Sequence, residues 1–487
     1  MNFKMNQQLK SSWFGNVRGD VLSGMTVALA LIPEAIAFSI IAGVDPMVGL
    51  YASVCIAIVI SFAGGRPGMI SAATGAMALL MVTLVKDHGI EYLFAATVLA
   101  GILQYVMGML KFGRFITFVP QSVMTGFVNA LAILIFAAQL PHFAGAGWVM
   151  YALVALTLLI IYILPRFTRA IPSALAAIVI VSVLAIGMGL EVKTVGDMGR
   201  IMSALPVFHV PQIALSLETV WIIFPYSVSL AIVGILESLL TATIVDEMTD
   251  TRSDKNREVK GQGIANVLTG FFGGMAGCAM IGQSVINVKS GGRTRLSTFV
   301  AGVFLLFLIL VLGDIVSRIP MAALVGVMFM VSIGTFDWKS LTGIAKVPRG
   351  DALVMVVTVA IVVATHDLSK GVFAGVLLSA VLFAWKMARI RMTSSIQANG
   401  AKTYVVSGQM FFGTMSHFIE QFDYAGDPDT IVIDFSQSHV WDHSAVTAIA
   451  KVVAKYRQLG KTASITGLNE ESRLIVEKVG LASTGGH

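Results

Sequence analysis

Ser61-Phe62-Ala63-Gly64-Gly65, leading through Gly68-Met69 to Thr74-Gly75, has a counterpart late in the chain. That counterpart is Gly270-Phe271-Phe272-Gly273-Gly274, leading through Met275-Ala276-Gly277 to Ile281-Gly282-Gln283-Ser284. Each stretch is a Gly-rich apolar run of weak helical propensity that opens into a short helix. One lies in the third apolar segment of each half of the chain. Glycines recur by chance in apolar helices, but the matched position and the shortness of the helical part argue for an internal repeat. Interrupted segments at corresponding places in two halves are where membrane transporters build their binding sites. Non-helical backbone at membrane depth is tolerated only when it lines a cavity or is buried in protein. Two short helices starting near the midplane would aim their N-terminal N–H groups into one cavity, a setting that favours an anion.

The surrounding composition requires a membrane. Of 487 residues, 56% are apolar and 12% are Asp, Glu, Lys or Arg, against about 45–50% and 25% in a soluble protein. Mean hydropathy is +0.84. This excludes a soluble multi-domain enzyme, a disordered chain and a nucleic-acid binder. Cys55 and Cys278, the two cysteines, exclude a disulfide framework or a Cys-ligated metal. Counting stretches of roughly 20 apolar residues predicts fourteen spans within a transmembrane domain of residues 1–392. Seven fall in a first repeat of about 12–190 and seven in a second of about 219–392. An odd number per repeat turns the second upside down relative to the first. The third, ninth and tenth spans, near Thr74–Val85, Gly263–Phe272 and Gly282–Val288, are too short to cross alone.

Alternate loops differ sharply in basic residues. Twenty-one Lys and Arg fall on one side and five on the other, Lys86, Lys193, Arg200, Arg318 and Lys370. The positive-inside rule then places both termini in the cytoplasm of a multi-pass cell (inner) membrane protein. Residues 400–487 change character, with seven Lys or Arg and nine Asp or Glu. Strands at Tyr404–Gly408, Thr430–Phe435 and Lys461–Thr466, with helices at Ser444–Leu459 and Glu470–Val479, predict a small cytoplasmic α/β domain.

Glu34 and Glu237 stand out inside the spans, each in the first span of its half. An ionisable residue at a span centre costs at least about 2.5 kcal/mol and is read first as functional. A protonated carboxyl bonded to backbone freed by Pro33 or a nearby Gly is the structural alternative. Ser238, Thr241 and Thr243 add hydroxyl oxygens, and Thr241 lies one turn beyond Glu237, a ligand pair suited to Na⁺. The run Asp246 to Glu258 reads as a solvated loop without chemistry. The eight histidines show no metal-ligand spacing, and Walker A, Gly-x-Ser-x-Gly and HExxH patterns are all missing from the sequence. ATP-driven transport and hydrolysis within this chain are not expected.

Leu31-Ile32-Pro33-Glu34-Ala35-Ile36-Ala37-Phe38, Gly234-Ile235-Leu236-Glu237-Ser238, Gly261-Gln262-Gly263-Ile264-Ala265-Asn266 and Val285-Ile286-Asn287-Val288-Lys289-Ser290-Gly291-Gly292-Arg293 occur in this order. In these stretches the chain resembles the SulP anion transporters, prokaryotic relatives of the solute carrier 26 family. The tail, with Ile433-Asp434-Phe435-Ser436 and Trp441-Asp442-His443-Ser444-Ala445, looks like a STAS domain. The resemblance implies two inverted seven-span repeats divided into core and gate domains that move past each other in an elevator-like cycle. It implies a homodimer that carries sulfate, bicarbonate, chloride or dicarboxylates, with no cofactor beyond a coupling Na⁺ or H⁺. Carried over by position, the substrate site comprises Phe38, Thr74, Gly75, Ala76, Met280, Ile281, Gly282, Gln283 and Ser284. Glu237, Thr241, Ser238 and Glu34 serve the coupling ion. Ser444 matches the residue phosphorylated in STAS anti-sigma-factor antagonists and is also placed to cap the following helix, where the domain could engage a cytoplasmic protein. The chain departs from the family pattern at Gln283, where many members have Arg, and at Glu34, where many have Gln. Secondary active transport of a small anion by symport is the expectation. A nucleobase permease of the same fold and a membrane-anchored STAS regulator are the alternatives.

Overall fold

The computed structural model describes residues 12–114, 119–168, 172–199, 204–214, 216–398 and 400–479. Of the basic residues used for orientation, Lys4, Lys10, Arg169 and Arg200 lie outside them. The chain divides into two compact units, residues 1–376 and 377–487.

In the first unit, α1 (Val17–Ala42) and α2 (Pro46–Ala63) lead into strand β1 (Ser71–Ala73) and the short α3 (Gly75–His88). Four helices follow: α4 (Ile90–Met109), α5 (Gln121–Ala137), α6 (Trp148–Phe167) and α7 (Ser173–Gly187). The second half repeats this order. Helices α8 (Leu217–Thr249) and α9 (Lys255–Phe271) lead into β2 (Gly277–Ala279) and α10 (Ile281–Lys289). After them come α11 (Arg295–Ser317), α12 (Met321–Thr335) and α13 (Arg349–Thr365), and α14 (Leu368–Met387) runs on past residue 376. Eight helices of the described residues are long and apolar enough to cross a membrane.

The two Gly-rich runs do break the helix. Gly68 and Gly273 take φ of +75° and +68°, left-handed values that cost glycine nothing. Each run then becomes a three-residue strand, and the two strands pair antiparallel, Ser71 with Ala279, Ala72 with Cys278 and Ala73 with Gly277. Backbone groups freed at this depth need partners, and side chains supply them. Arg295 donates to the carbonyls of Ser61 (2.8 Å) and Gly64 (2.7 Å), and Asn287 to that of Gly68 (2.8 Å). Asn266 brackets Gly277, accepting from its N–H (2.9 Å) and donating to its carbonyl (3.0 Å).

Glu258 corrects the reading of the Asp246–Glu258 run as a solvated loop. Its carboxylate is fully buried and accepts the N–H groups of Gly65 (2.7 Å) and Arg66 (3.0 Å). Arg66 pairs with Asp246 at 3.1 Å, and Lys255 with the same carboxylate at 2.9 Å. The ninth helix therefore begins at Lys255, well before Gly263. Its polar face is spent on holding the first interruption rather than on water.

Helix packing sorts the unit into two groups. α4 lies against α9 and α8, and α11 against α1 and α2. Gly101 and Gly263 let α4 and α9 meet backbone to backbone, since a Cβ on either would come within 2.6 Å of the other's carbonyl oxygen. In the second group α5 packs on α13, and α12 on α6, α7 and α5.

The second unit holds a four-stranded sheet in the order β3 (Arg391–Ile396), β4 (Lys402–Met410), β5 (Thr430–Val440), β6 (Thr462–Thr466). β3 and β4 are antiparallel, and the other pairs are parallel. The sheet thus begins before residue 400. Its helices are α15 (Met415–Glu420), α16 (His443–Gln458) and α17 (Glu470–Val479). Phe418, Phe435, Ile431, Val446 and Tyr456 form its buried core. Ser444 is not the cap of α16: Asp442 holds that place and accepts the N–H of Ala445 at 2.8 Å. The Asp442 carboxylate, one residue outside the helix, satisfies the orphan donor and leaves Ser444 in the first turn.

Candidate functional site

α3 and α10 start at the ends of the paired strands, and a cavity of about 100 Å³ lies at their N-termini. Glu34 and Phe38 of α1, Thr74 and Gly75, Glu237 of α8, and Met280, Ile281, Gly282 and Gln283 line it. Nine of the residues expected from sequence therefore meet at one place. Ala76, Ser284, Ser238 and Thr241 sit behind this lining, all fully buried. Ser284 accepts the N–H of Ile70 (3.0 Å) and Ser238 that of Ala279 (3.1 Å), so both hydroxyls pin the strand pair. The Thr241 hydroxyl donates to the backbone carbonyl of Glu237 (2.7 Å), leaving its lone pairs free.

The geometry explains the residue types. Thr74 precedes α3 in extended conformation, and its Oγ1 faces the N–H of Met77 at 3.5 Å, the position of a capping residue. Gly75 has no room for a side chain, because a Cβ there would lie 2.9 Å from Phe38 Cε1 and 3.1 Å from Ile135 Cδ1. Gly282 is different, with no atom within 4 Å of where its Cβ would point. Close side-chain packing therefore constrains Gly75 alone of the two.

Glu34 is tied directly to the second half of the chain, and Glu237 reaches the first half through Cys278. Gln283 Nε2 donates to Glu34 Oε1 at 2.9 Å. Cys278 Sγ donates to Glu237 Oε2 at 2.8 Å and lies 3.1 Å from Thr74 Oγ1. Cys278 thus bridges Glu237 and the start of α3. The sequence showed only a cysteine in apolar surroundings, and its strand register, which carries it to Glu237, had no local signal. Phe127, Val128, Leu131 and Ile135 of α5 with Val331 and Thr335 of α12 complete the lining and were also missed. They come from uninterrupted apolar helices.

Larger spaces flank the cavity on both sides. One of about 470 Å³ shares Glu34, Ile281, Gly282 and Gln283 with it and extends to Gln121, Ile244 and Asp337, next to the basic loops. The other, of about 1120 Å³, is lined by Ile41, Thr83, His142, Tyr226, His366 and Lys370, towards the loops with few basic residues. No Arg, Lys or His lines the central cavity among the described residues. What remains to attract an anion is the backbone N–H groups and partial positive charge of two helix starts. No group of three or more His, Cys, Asp or Glu side chains is placed to hold a metal ion among the described residues.

A broken-helix membrane protein with two opposed helix starts over a small central cavity, followed by an α/β domain of its own, defines a transporter class. Residues 17–151 and 146–358 match the Sulfate permease family, and residues 394–484 match the STAS domain. The chain belongs to the sulfate permease (SulP/SLC26) family and carries a C-terminal STAS domain. It is 61% identical over 471 residues to the Bacillus subtilis (strain 168) protein named "Putative sulfate transporter YbaR", covering 97% of this chain and 98% of that one. It is 28% identical over 521 residues to the bicarbonate transporter BicA of Picosynechococcus sp., covering 96% and 92%. The transmembrane domain of a cyanobacterial BicA superposes with a TM-score of 0.67 at 27% identity, over 75% of this chain and 98% of that one. Murine Slc26a9 in its inward-facing state shares the fold with a TM-score of 0.84 at 15% identity, over 97% and 89%. The relatives are named as transporters.

Proposed function

We propose that the chain carries out secondary active transport of a small inorganic anion, sulfate or bicarbonate, by symport with Na⁺ or H⁺. The observation that carries this reading is the meeting of two helix starts and two carboxyl groups at one small cavity between flanking spaces. Each helix start contributes roughly half an elementary charge, enough together for a monovalent anion. Glu34 and Glu237, if ionised, oppose it, and in a low-dielectric cleft that opposition is large. The anion then binds well only when a cation occupies the region of Glu237, Ser238 and Thr241, so coupling is electrostatic. Oxygen ligands of this kind suit a hard cation such as Na⁺, with the Glu237 carboxylate as the charged member. The relatives BicA and YbaR are named for bicarbonate and sulfate, which supports both anions as cargo.

In this reading the fourteen helices form two inverted repeats, residues of about 12–190 and 219–392. α1–α4 with α8–α11 form the core that carries the cavity, and α5–α7 with α12–α14 the gate. The core moves elevator-fashion within a homodimer in the inner membrane, its termini in the cytoplasm. The STAS domain receives cytoplasmic partners, with Ser444 as a regulatory residue. Uptake of labelled sulfate and bicarbonate into proteoliposomes under imposed Na⁺ or pH gradients tests the proposal. Glu237→Gln is expected to remove the dependence on the cation gradient together with most net uptake. Wild-type uptake indifferent to both gradients, or an unchanged dependence in the variant, would refute the coupling role.

A further inference from the structure

Gln283 is the third residue of α10, is 2% exposed and lines the central cavity. Its amide has a fixed sense. Nε2 is held by Glu34 Oε1 at 2.9 Å, and with Glu34 ionised, turning the amide over would set Oε1 against a carboxylate. The free end is therefore the carbonyl, and Gln283 Oε1 is buried with no hydrogen-bond partner among the described residues. Buried acceptors left without donors are rare and call for an explanation. Here the surroundings supply one. The helix starts offer N–H groups to an anion's oxygens, while no donor among the described residues stands within hydrogen-bond distance of Gln283 Oε1.

We propose that Gln283, oriented by Glu34, determines specificity by selecting monovalent oxyanions that bring their own hydroxyl, with hydrogencarbonate the smallest. This rests on the reading of the cavity as the anion site. Such an anion satisfies both sets of groups, its charged oxygens accepting from the backbone N–H groups and its O–H donating to Gln283 Oε1. Fully deprotonated sulfate, chloride and nitrate carry acceptors only. They leave Oε1 unpaired and place lone pairs beside it and beside the Glu34 carboxylate. A dianion also exceeds the charge that two helix starts offset. Sites built to receive a substrate hydroxyl discriminate steeply against analogues that lack it, because their own polar groups are then stranded.

The full-length protein in proteoliposomes, at one slightly alkaline pH and a fixed cation gradient, tests this by uptake of labelled hydrogencarbonate against sulfate, chloride and nitrate. In the wild type a tenfold excess of sulfate is expected to change the KM for hydrogencarbonate less than twofold. Glu34→Gln releases the amide to turn its Nε2 to the cavity, and sulfate is expected to become a competitor, the preference for hydrogencarbonate falling at least tenfold. Gln283→Ala is expected to raise the KM for hydrogencarbonate about tenfold and, with the unpaired acceptor gone, to lessen the discrimination against sulfate. Sulfate competing at equal concentration in the wild type overturns the proposal, and that measurement decides even where a variant fails to insert. An unchanged ratio in both variants overturns it as well. Uptake of no anion at all would refute the transport reading itself, a different outcome from uptake without selectivity.

Discussion

The two helix starts differ in one respect that mutation can expose. A methyl group added at Gly75 would lie 2.9 Å from Phe38 Cε1, 3.1 Å from Ile135 Cδ1 and 3.3 Å from Ile135 Cγ1. Phe38 is 3% exposed and Ile135 2% exposed, and the space open to either side chain is the cavity that both of them line. Overpacking of this kind costs about 1–3 kcal/mol. Because Phe38, Ile135 and Gly75 all line the cavity, the strain is spent at the place where the anion would sit. If it falls on the bound state alone, Gly75→Ala weakens anion affinity roughly 5- to 150-fold. At Gly282 an added methyl meets no atom within 4 Å, and Ala is the better helix former by about 1 kcal/mol. Gly282→Ala should keep affinity within a few-fold and raise thermal stability slightly. Anion-dependent uptake in proteoliposomes gives the KM for each variant, and tryptophan fluorescence melting separates lost affinity from lost fold. A harmless Gly75→Ala beside a crippled Gly282→Ala would show that the packing at the two helix starts is not as described.

Cys278→Ala removes the hydrogen bond to Glu237 Oε2 and the link to Thr74. A bond to a charged group contributes about 1.5 kcal/mol, so the half-saturating cation concentration for uptake should shift roughly tenfold. Cys278→Ser keeps a donor there and should stay near the wild type; identical cation curves for all three proteins would remove any role for the thiol. In the STAS domain, Asp427 accepts from Lys402 at 2.6 Å, from Tyr404 at 2.9 Å and from Tyr456. Burial pushes its carboxyl up, yet Lys402, Tyr456 and Tyr404 together outweigh that and hold it below the ordinary carboxylate value. A carboxyl lowered by folding adds stability above its unfolded pKa, about 3.9, and that stability is lost as pH falls through the lower folded value. Asp427→Ala should cost about 3–5 kcal/mol near neutrality and flatten the acid limb of the melting profile. An acid limb that survives the substitution would place the sensitivity elsewhere.

Much of the fold is legible in the sequence because the membrane permits so few solutions. Gly64-Gly65 and Gly273-Gly274 could not continue a helix cheaply, and at membrane depth a broken helix must be buried or line a cavity. Their equal rank in the two halves then pointed to one shared site. Within the Asp246–Glu258 run, Glu247, Asp250, Arg252, Asp254 and Arg257 are exposed as expected, but Glu258 was misread because charge density was taken for solvent exposure. Glu258 and Arg66 are buried, and each answers backbone groups or a charge contributed from far along the chain. Such pairing depends on tertiary proximity, and neither periodicity nor hydropathy carries it. The cap of α16 failed on a smaller scale: Asp442 and Ser444 are both good capping residues, and only the backbone turn at Asp442, φ −142°, chooses between them.

At the site itself, the residues visible beforehand are those that break a local rule. Glu34 and Glu237 put acids among apolar spans, Thr74 and Gly282 interrupt them, and natural sequences accept such conflicts mainly where function requires it. Phe127, Leu131, Ile135 and Val331 break none. They are apolar residues in apolar helices, as suited to lipid or core as to a cavity, and they form much of the wall facing the helix starts. That asymmetry has a physical sense. In the proposed reading the side carrying α3 and α10 recognises charge, and it is there that polar groups and interrupted helices concentrate. In the proposed transport cycle the side carrying α5 and α12 is left behind when the anion moves, and a wall that binds nothing strongly would be the one that lets it go. Its residues could then be exchanged among apolar types with little loss of recognition, and no single position in them advertises a role.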